Sequence, residues 1–398
     1  MINQKSKANF ALFALAVIFF AVGVTEFISV GVLPAISKSF MITTSTAGLI
    51  TTIYALGVAL GAPILTILTA KFQRKGTILG AIIIFIIGHL IIGFATNFGE
   101  VIFGRLIAGA SHGLLFALSS TIAAELVDES RQASAIAYIF TGFTIATALG
   151  APLGTAVSTY WGWRIPFLAI ATLGIVAWIL NRVALPKQAR KNVEISSIAD
   201  QVKLILHPHV LLTLLITILG YGGTFATFTY LSSILQKITH VPANQVSFFL
   251  VIYGVAIAIG NTLGGKLGNA KPINALFGIF IVQGLALFAF YFTVTNIYLS
   301  TLNIVLLGLV AFMSVPVLQS YILILAKSYS SKAVDVASSL NISAFSFGIV
   351  GGSFLGGVAL DTYGLRSTML LAAAMVALAV LLMLVENKFE NKVLQKQY

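Results

Sequence analysis

One stretch of the chain occurs twice: Gly150-Ala-Pro-Leu-Gly-Thr-Ala-Val-Ser-Thr-Tyr-Trp-Gly-Trp-Arg164 aligns without a gap on Gly352-Ser-Phe-Leu-Gly-Gly-Val-Ala-Leu-Asp-Thr-Tyr-Gly-Leu-Arg366. Five of the fifteen positions are identical, and the offset of 202 residues is about half of the 398-residue chain. A second pair of segments, residues 54–61 and 253–260, is also similar. The repeat therefore predicts two structurally related halves, an arrangement found in many membrane-embedded folds.

The composition excludes an ordinary soluble protein. Hydrophobic residues make up 59% of the chain and charged residues only 9%, whereas soluble domains contain roughly 45–50% and about 25%. Such a chain cannot cover its own surface with polar groups, so we expect a lipid bilayer to be its solvent. Cysteine is absent, which excludes disulfides, thiolate metal sites and cysteine nucleophiles. No metal site or other cofactor is predicted.

Twelve apolar segments are long enough to cross a bilayer as helices, which requires about 20 residues. The predicted spans are 10–34, 46–70, 76–96, 99–124, 132–157, 164–184, 209–235, 243–266, 272–292, 297–325, 334–359 and 366–385. A polar central loop, 185–208, separates a first bundle (1–184) from a second bundle with a short tail (209–398). We therefore predict an all-α membrane protein with twelve transmembrane helices in two pseudo-symmetric six-helix halves.

The basic residues predict the orientation. If the N-terminus is cytoplasmic, 18 of the 23 Lys and Arg residues lie on the cytoplasmic side and one, Arg105, lies within a span. Only Lys38, Arg164, Lys237 and Arg366 then lie outside. Positive charge collects in short cytoplasmic loops, so both termini are predicted on the cytoplasmic side of the cell membrane. The net charge of +12 is explained by this topology, and nucleic-acid binding is not expected.

Three local motifs resemble those of the major facilitator superfamily, specifically its twelve-span drug:H⁺ antiporter branch with sugar- and purine-efflux relatives. The fifth span carries Gly150-Ala-Pro152-Leu-Gly154, similar to the antiporter motif. The fourth carries Arg105-Leu-Ile-Ala-Gly109, similar to the Arg-x-x-x-Gly motif. In the loop after the second span, Lys71, Arg74 and Lys75 match the family charges, while Thr66, Ala70 and Gln73 replace its Gly, Asp and Gly.

The resemblance implies transport by alternating access, with the fifth-span motif taking part in gating. The alternative for Gly150, Pro152 and Gly154 is ordinary helix packing, since small residues four apart allow close contact in any membrane helix. For Lys71, Arg74 and Lys75, the alternatives are a cytoplasmic charge lock and a role confined to fixing topology.

Three ionisable residues are identified deep within spans: Glu26, Arg105 and His112. Charged groups are costly there, about 2.5–3.5 kcal/mol on insertion scales, so each is a functional candidate. Counting from the span ends, at roughly 1.5 Å per residue, Glu26 and Arg105 are expected at similar depth. Glu26 could carry a coupling proton, form a fixed ion pair with Arg105, or bind substrate. His112 could titrate or donate a hydrogen bond to another helix.

Candidate substrate-binding residues are Tyr221 and Phe228, which share one face of the seventh span, with Gln319 and Asn341 in the tenth and eleventh. The leading hypothesis is proton-coupled efflux of a drug or other small hydrophobic compound by a monomeric transporter. An exporter of sugars or purine-type metabolites is the alternative. A membrane enzyme or scaffold is a third, disfavoured by the half-chain repeat and the lack of a catalytic cluster.

Overall fold

The computed structural model describes residues 2–69, 71–128, 132–186, 206–267, 272–329 and 334–395, and the regular structure within these ranges is helical. Thirteen helices lie in the described ranges: α1 Ile2–Phe40, α2 Thr44–Thr69, α3 Arg74–Phe94, α4 Phe98–Glu125, α5 Gln132–Trp161, α6 Arg164–Ala184, α7 Pro208–Phe228, α8 Leu231–Lys237, α9 Ala243–Leu267, α10 Pro272–Thr293, α11 Ile297–Tyr329, α12 Val334–Tyr363 and α13 Ser367–Gln395.

Twelve helical segments in the described part of the chain are long and apolar enough to cross a membrane. The short helix α8 is not a span of its own, because α7 and α8 together form one such segment, Pro208–Lys237. The prediction of an all-α protein with twelve spans is confirmed.

The first helix is longer than the sequence predicted. Pro34 was taken as the outer end of the first span, but α1 continues through it to Phe40. The additional turns have their own apolar contacts, since Ile36 is fully buried and the Phe40 ring packs against Phe98 and Trp163. Contacts between distant segments therefore extend the helix beyond its proline.

The chain divides into two compact units. Unit 1 comprises Met1–Thr43, Leu49–Val193 and Ala243–Val251, and unit 2 comprises Thr44–Gly48, Glu194–Pro242 and Ile252–Tyr398. Most of the predicted central loop, residues 187–205, lies outside the described residues.

The same helix pairings occur in both units. In unit 1, α1 packs against α5 and α6, and α3 packs against α4 and α6. In unit 2, α7 packs against α12 and α13, and α10 packs against α11 and α13. The first, third, fourth, fifth and sixth spans of each half thus contact one another in the same combinations, as the sequence repeat predicted.

One of the five repeated identities explains close contacts of this kind. A Cβ added to Gly154 in α5 would lie 2.6 Å from Cγ1 of Ile28 in α1. Its counterpart Gly356 in α12 faces α7, where an added Cβ would lie 2.6 Å from the carbonyl oxygen of Ala226. Both separations are too short for a side chain, so glycine sets how closely these helices approach.

A second repeated identity ends the helices. Gly162 after α5 and Gly364 at the end of α12 have φ values of +90° and +86°, in the left-handed region that favours glycine. The amide of Gly162 donates to the carbonyl of Ser158, and that of Gly364 donates to the carbonyl of Leu360. The repeat therefore preserves a helix terminus as well as a packing surface.

Candidate functional site

Arg105 lies at the centre of a buried polar cluster in unit 1. Its side chain is fully buried, although it belongs to an apolar span. Its Nε donates to the carbonyl of Ile50 in α2 at 2.8 Å. Its Nη1 donates to the carbonyl of Thr25 at 3.0 Å, and Nη2 donates to Oγ of Ser29 at 2.6 Å, both in α1. One guanidinium thus joins α1, α2 and α4 through neutral acceptors.

The ring of Tyr54 completes the surroundings of Arg105. The guanidinium carbon lies 3.9 Å from the centre of this ring, which is the geometry of a cation–π interaction. Gly109 allows this arrangement, because a Cβ there would lie 3.0 Å from the carbonyl carbon of Tyr54. The Arg-x-x-x-Gly motif therefore provides both the cation and the space for α2.

Glu26 lies on α1 between Thr25 and Ser29, two of the residues that bind Arg105. These contacts place Arg105 beside this part of α1, as expected from the estimated depths. Yet no ion pair within 4.0 Å joins Glu26 to Arg105 among the described residues. Glu26 as a residue is partly buried, and the missing contact means that the fixed ion pair is not the arrangement in this structure.

His112 contacts a neighbouring helix. Its Nδ1 lies 2.9 Å from the hydroxyl of Tyr54 in α2, and its side chain is buried. A hydrogen bond joins the two side chains, and the tautomer of the imidazole decides which of them donates. It connects His112 to Arg105 through the tyrosine that both residues contact.

A fourth ionisable residue within a span, His89 in α3, belongs to this region, although it was not among the predicted candidates. Its side chain is fully buried, its Nε2 lies 3.2 Å from Oγ1 of Thr25, and its Nδ1 lies 2.8 Å from the carbonyl of Phe85. The signal was available, since a histidine within 21 predominantly apolar residues meets the criterion applied to His112. His89 extends the polar cluster to α3.

The basic residues after the second span differ in their contacts. Arg74 forms an ion pair with Glu125 at the end of α4, and Nζ of Lys75 donates to the carbonyl of Leu185 after α6. Lys71 is exposed and lies 5.3 Å from the centre of the Phe72 ring. Arg74 and Lys75 therefore hold helix ends together, even though the family aspartate is replaced by Ala70.

The fifth-span motif lies against α1, the helix that carries Glu26. A Cβ on Gly150 would lie 2.9 Å from Cβ of Phe27, the residue after Glu26. Pro152 is buried within α5. Gly150 and Gly154 therefore bring α5 close to α1 on either side of Pro152, next to the polar cluster.

The four substrate-binding candidates form two groups within unit 2: the polar residues Asn341 and Gln319, and the aromatic residues Tyr221 and Phe228. Asn341, fully buried, accepts from Oγ1 of Thr217 at 2.9 Å and donates to Oε1 of Gln319 at 2.8 Å. Tyr221 packs edge-on against Phe345. Phe228 stacks on Tyr253 at 4.8 Å and lines a small cavity.

The cavity beside Phe228 contains an unusual polar group. Gln283 is fully buried, and its Nε2 donates to the carbonyl of Gly220 and to Oγ1 of Thr224. Its Oε1 has no hydrogen-bond partner among the described residues. In the described ranges, no group of three or more His, Asp or Glu side chains could hold a metal ion.

Twelve apolar helices, arranged with the same pairings in two units and containing a buried polar cluster, define a multi-pass membrane protein of the transporter class. The family model for the Major Facilitator Superfamily matches residues 15–334, and the chain belongs to this superfamily. It is a transporter and not an enzyme, as the sequence predicted.

Similar proteins span nearly the whole chain. The uncharacterized MFS-type transporter YtbD of Bacillus subtilis (strain 168) is 47% identical over 96% of both chains. The inner membrane transport protein YdhP of Escherichia coli (strain K12) is 34% identical over 94% of this chain and 95% of its own. A crystal structure of a bacterial homolog to the human lysosomal transporter Spinster has the same fold, with a TM-score of 0.81 at 15% identity, covering 96% of this chain and 97% of its own.

Two more distant relatives have names that mention a compound or a class of compounds. The chloramphenicol resistance protein of Streptomyces lividans is 30% identical over 67% of this chain and 68% of its own. The probable sugar efflux transporter of Mannheimia succiniciproducens is 27% identical over 96% of this chain and 95% of its own. These names bear on the two cargo classes that the sequence left open.

Proposed function

We propose that the protein exports a small molecule from the cytoplasm in exchange for protons, and that Glu26 carries the coupling proton. The cargo proposed is a drug-like hydrophobic compound, with a sugar or purine-type metabolite as the second candidate. The protein would act as a monomer in the cell membrane, with both termini in the cytoplasm. The observation that carries this proposal is the arrangement of Glu26 beside, but not paired with, the buried Arg105.

The first support is the set of partners that Arg105 has. Its three recorded hydrogen bonds go to two backbone carbonyls and a hydroxyl, so its position does not depend on the ionisation of Glu26. A carboxyl outside a direct ion pair can gain or lose a proton without breaking any of these hydrogen bonds. A coupling group requires this property.

The second support is the charge balance of the cluster. A guanidinium buried among neutral partners is costly unless an anion lies nearby. Glu26 provides that negative charge from the same turn of α1, and it loses the charge on protonation. Binding a proton therefore leaves the positive charge of Arg105 without compensation, which favours a conformation in which water reaches the site.

The third support connects the site to helix movement. Glu26 precedes Phe27, whose side chain packs against Gly150 of the fifth-span motif. A change in the charge of Glu26 acts on α1, and α1 is the helix that α5 contacts through Gly150 and Gly154. The resemblance to antiporters and the names of two relatives, the chloramphenicol resistance protein and the probable sugar efflux transporter, also favour exchange of cargo against protons.

The test is to replace Glu26 with Gln, which keeps the shape of the side chain but cannot titrate. We expect Glu26→Gln to lose uphill transport driven by a pH gradient in proteoliposomes, because no charge then changes during the cycle. Downhill exchange of the same compound should remain. Labelled chloramphenicol, a hexose and a purine nucleoside would serve as cargo probes.

Glu100→Gln is the matched control, since Glu100 is a partly exposed carboxylate near the start of α4 that bonds Thr96 and Asn97. It should retain pH-driven uptake. A Glu26→Gln protein that still concentrates a probe in response to a pH gradient would exclude Glu26 as the obligatory proton carrier. His112 and His89 would then be the next residues to test.

A further inference from the structure

A second buried ionisable cluster lies in unit 2, outside the site described above. Glu386 at the end of the last span is 1% exposed. Its Oε1 lies 2.9 Å from Nδ1 of His209 in α7 and accepts a hydrogen bond of 2.8 Å from the hydroxyl of Tyr321 in α11. Three helices, α7, α11 and α13, thus meet at one carboxyl oxygen.

The other carboxyl oxygen has no such support. Oε2 of Glu386 is buried and has no hydrogen-bond partner among the described residues. A carboxylate without a cation is costly in such surroundings, whereas an ion pair with a protonated imidazole is far less so. The pair of Glu386 and His209 therefore has to hold one proton for its burial to be favourable.

A second histidine lies beside this pair. The rings of His207 and His209 are stacked, with their centres 5.7 Å apart and their planes at 22°. Partial burial and the neighbouring His209 lower the pKa of His207, while Glu386 opposes that shift. Of the two imidazoles, that of His209 contacts the carboxylate directly.

The remaining surroundings are apolar or lie outside the described side chains. The helix α10, which also packs against α13, has one titratable residue, Tyr291, near its opposite end. Described ionisable groups of α12, Asp361 and Tyr363, lie at its far end. The side chains of Lys327, Tyr329, Asp335 and Lys388, which belong to helix ends nearer to Glu386, are outside the described residues.

We propose that Glu386, His209 and Tyr321 form a proton-binding clamp that holds the ends of α7, α11 and α13 together next to the central loop. The clamp is closed while the pair retains its proton and weakens when the proton is lost. It goes beyond the coupling proposed for Glu26, because it makes unit 2 sensitive to pH on the loop side without itself carrying protons across the membrane.

The sign of the effect follows from the ion pair. A protonated imidazole stabilises the fold only while it holds its proton, so this contribution is present at lower pH and is lost as the pH rises. The melting temperatures of His209→Gln and Glu386→Gln should therefore lie below that of the wild type by more at about pH 5 than at about pH 8, the range in which histidines change charge.

Two further variants make the test specific. His240→Asn, in an exposed loop where asparagine tolerates the observed φ of 59°, should keep the wild-type pH profile. Tyr321→Phe retains the ring but removes one hydrogen bond, so it should shift the profile and not abolish it. If Glu386→Gln does not fold, the His209→Gln and Tyr321→Phe profiles decide the question.

The outcomes separate this proposal from that for Glu26. Glu386→Gln should still concentrate chloramphenicol or another transported probe when a pH gradient is imposed, while Glu26→Gln should not. Melting profiles of Glu386→Gln and His209→Gln that run parallel to the wild type would overturn the clamp. A profile changed by His209→Gln but not by Glu386→Gln would also overturn it, because the histidine would then titrate without the carboxylate.

Discussion

At the scale of single residues, Arg105 is a charge within a membrane span that joins three helices, and its role beside Glu26 is the functional part of our proposal. The sequence identified it as a candidate partner for Glu26. The structure instead gives its guanidinium three neutral acceptors and an aromatic ring. This allows the arginine to set the electrostatic surroundings of Glu26 without fixing the carboxyl in one ionisation state.

Replacing Arg105 with Lys tests this role. A single ammonium cannot reach acceptors on α1 and α2 together or lie flat on the Tyr54 ring. We expect Arg105→Lys to lower the free energy of unfolding by about 2 kcal/mol or more, since hydrogen bonds to charged groups contribute about 1.5–3 kcal/mol each. Thermal unfolding of the purified protein would measure the loss. Arg182→Lys, at an exposed position at the end of α6, should differ little from wild type.

Much of this residue-scale detail was not predictable. Glu26, Arg105 and His112 were found because ionisable groups stand out in apolar spans. His89 was equally visible and was missed, whereas Tyr54 and Thr25 have no distinguishing sequence feature. Their importance depends on which face of α1 or α2 points towards α4, and that rotation is set by packing between helices.

At the scale of helices, the contact between α5 and α1 depends on residues without side chains. Gly154→Leu should push the two helices apart, because even a Cβ would lie 2.6 Å from Ile28. We expect inserted protein with little or no transport and a melting temperature below the wild type. Gly76→Leu is the matched control, since Gly76 is exposed and has no atom within 4 Å of an added Cβ. Normal transport by Gly154→Leu would contradict a gating role for the motif.

The helix terminus at Gly162 makes a separate prediction. An added Cβ would have nothing within 4 Å, so any effect of Gly162→Ala comes from its φ of +90° alone. We expect a loss of roughly 1–2 kcal/mol in the free energy of unfolding, the cost of a left-handed conformation for other residues. Gly364→Ala should behave in the same way. Melting temperatures of both variants unchanged from wild type would indicate that the turns relax without cost.

At the scale of the whole molecule, the distribution of Lys and Arg predicts the orientation in the membrane. The absence of native cysteine allows single cysteines to report it. Gln73→Cys, in the exposed turn between α2 and α3, should react with an impermeant maleimide only from the cytoplasmic face. Thr295→Cys, in the exposed turn between α10 and α11, should react only from outside. Reversed labelling would overturn the topology and the side assigned to the clamp.

The repeat was the most informative feature of the sequence at this scale. It predicted related halves, and the matching helix pairings of the two units agree with it. The identical residues of the repeat also have three different physical roles. Gly154 and Gly356 set close contacts, Gly162 and Gly364 end helices in the left-handed region, and Leu153 and Leu355 remain 45% and 43% exposed on the outside of their units.

The sequence by itself determined the class of protein, the twelve spans and the duplicated architecture. These depend on composition, on the length of apolar segments and on a repeat along the chain, all of which are local or linear properties. The tertiary structure alone decided which polar groups meet. Arg105 reaches the carbonyl of Thr25 across 80 residues, and His209 meets Glu386 across 177. Such contacts depend on the rotation and depth of each helix against its neighbours, which the packing of the folded chain determines and an apolar pattern does not encode.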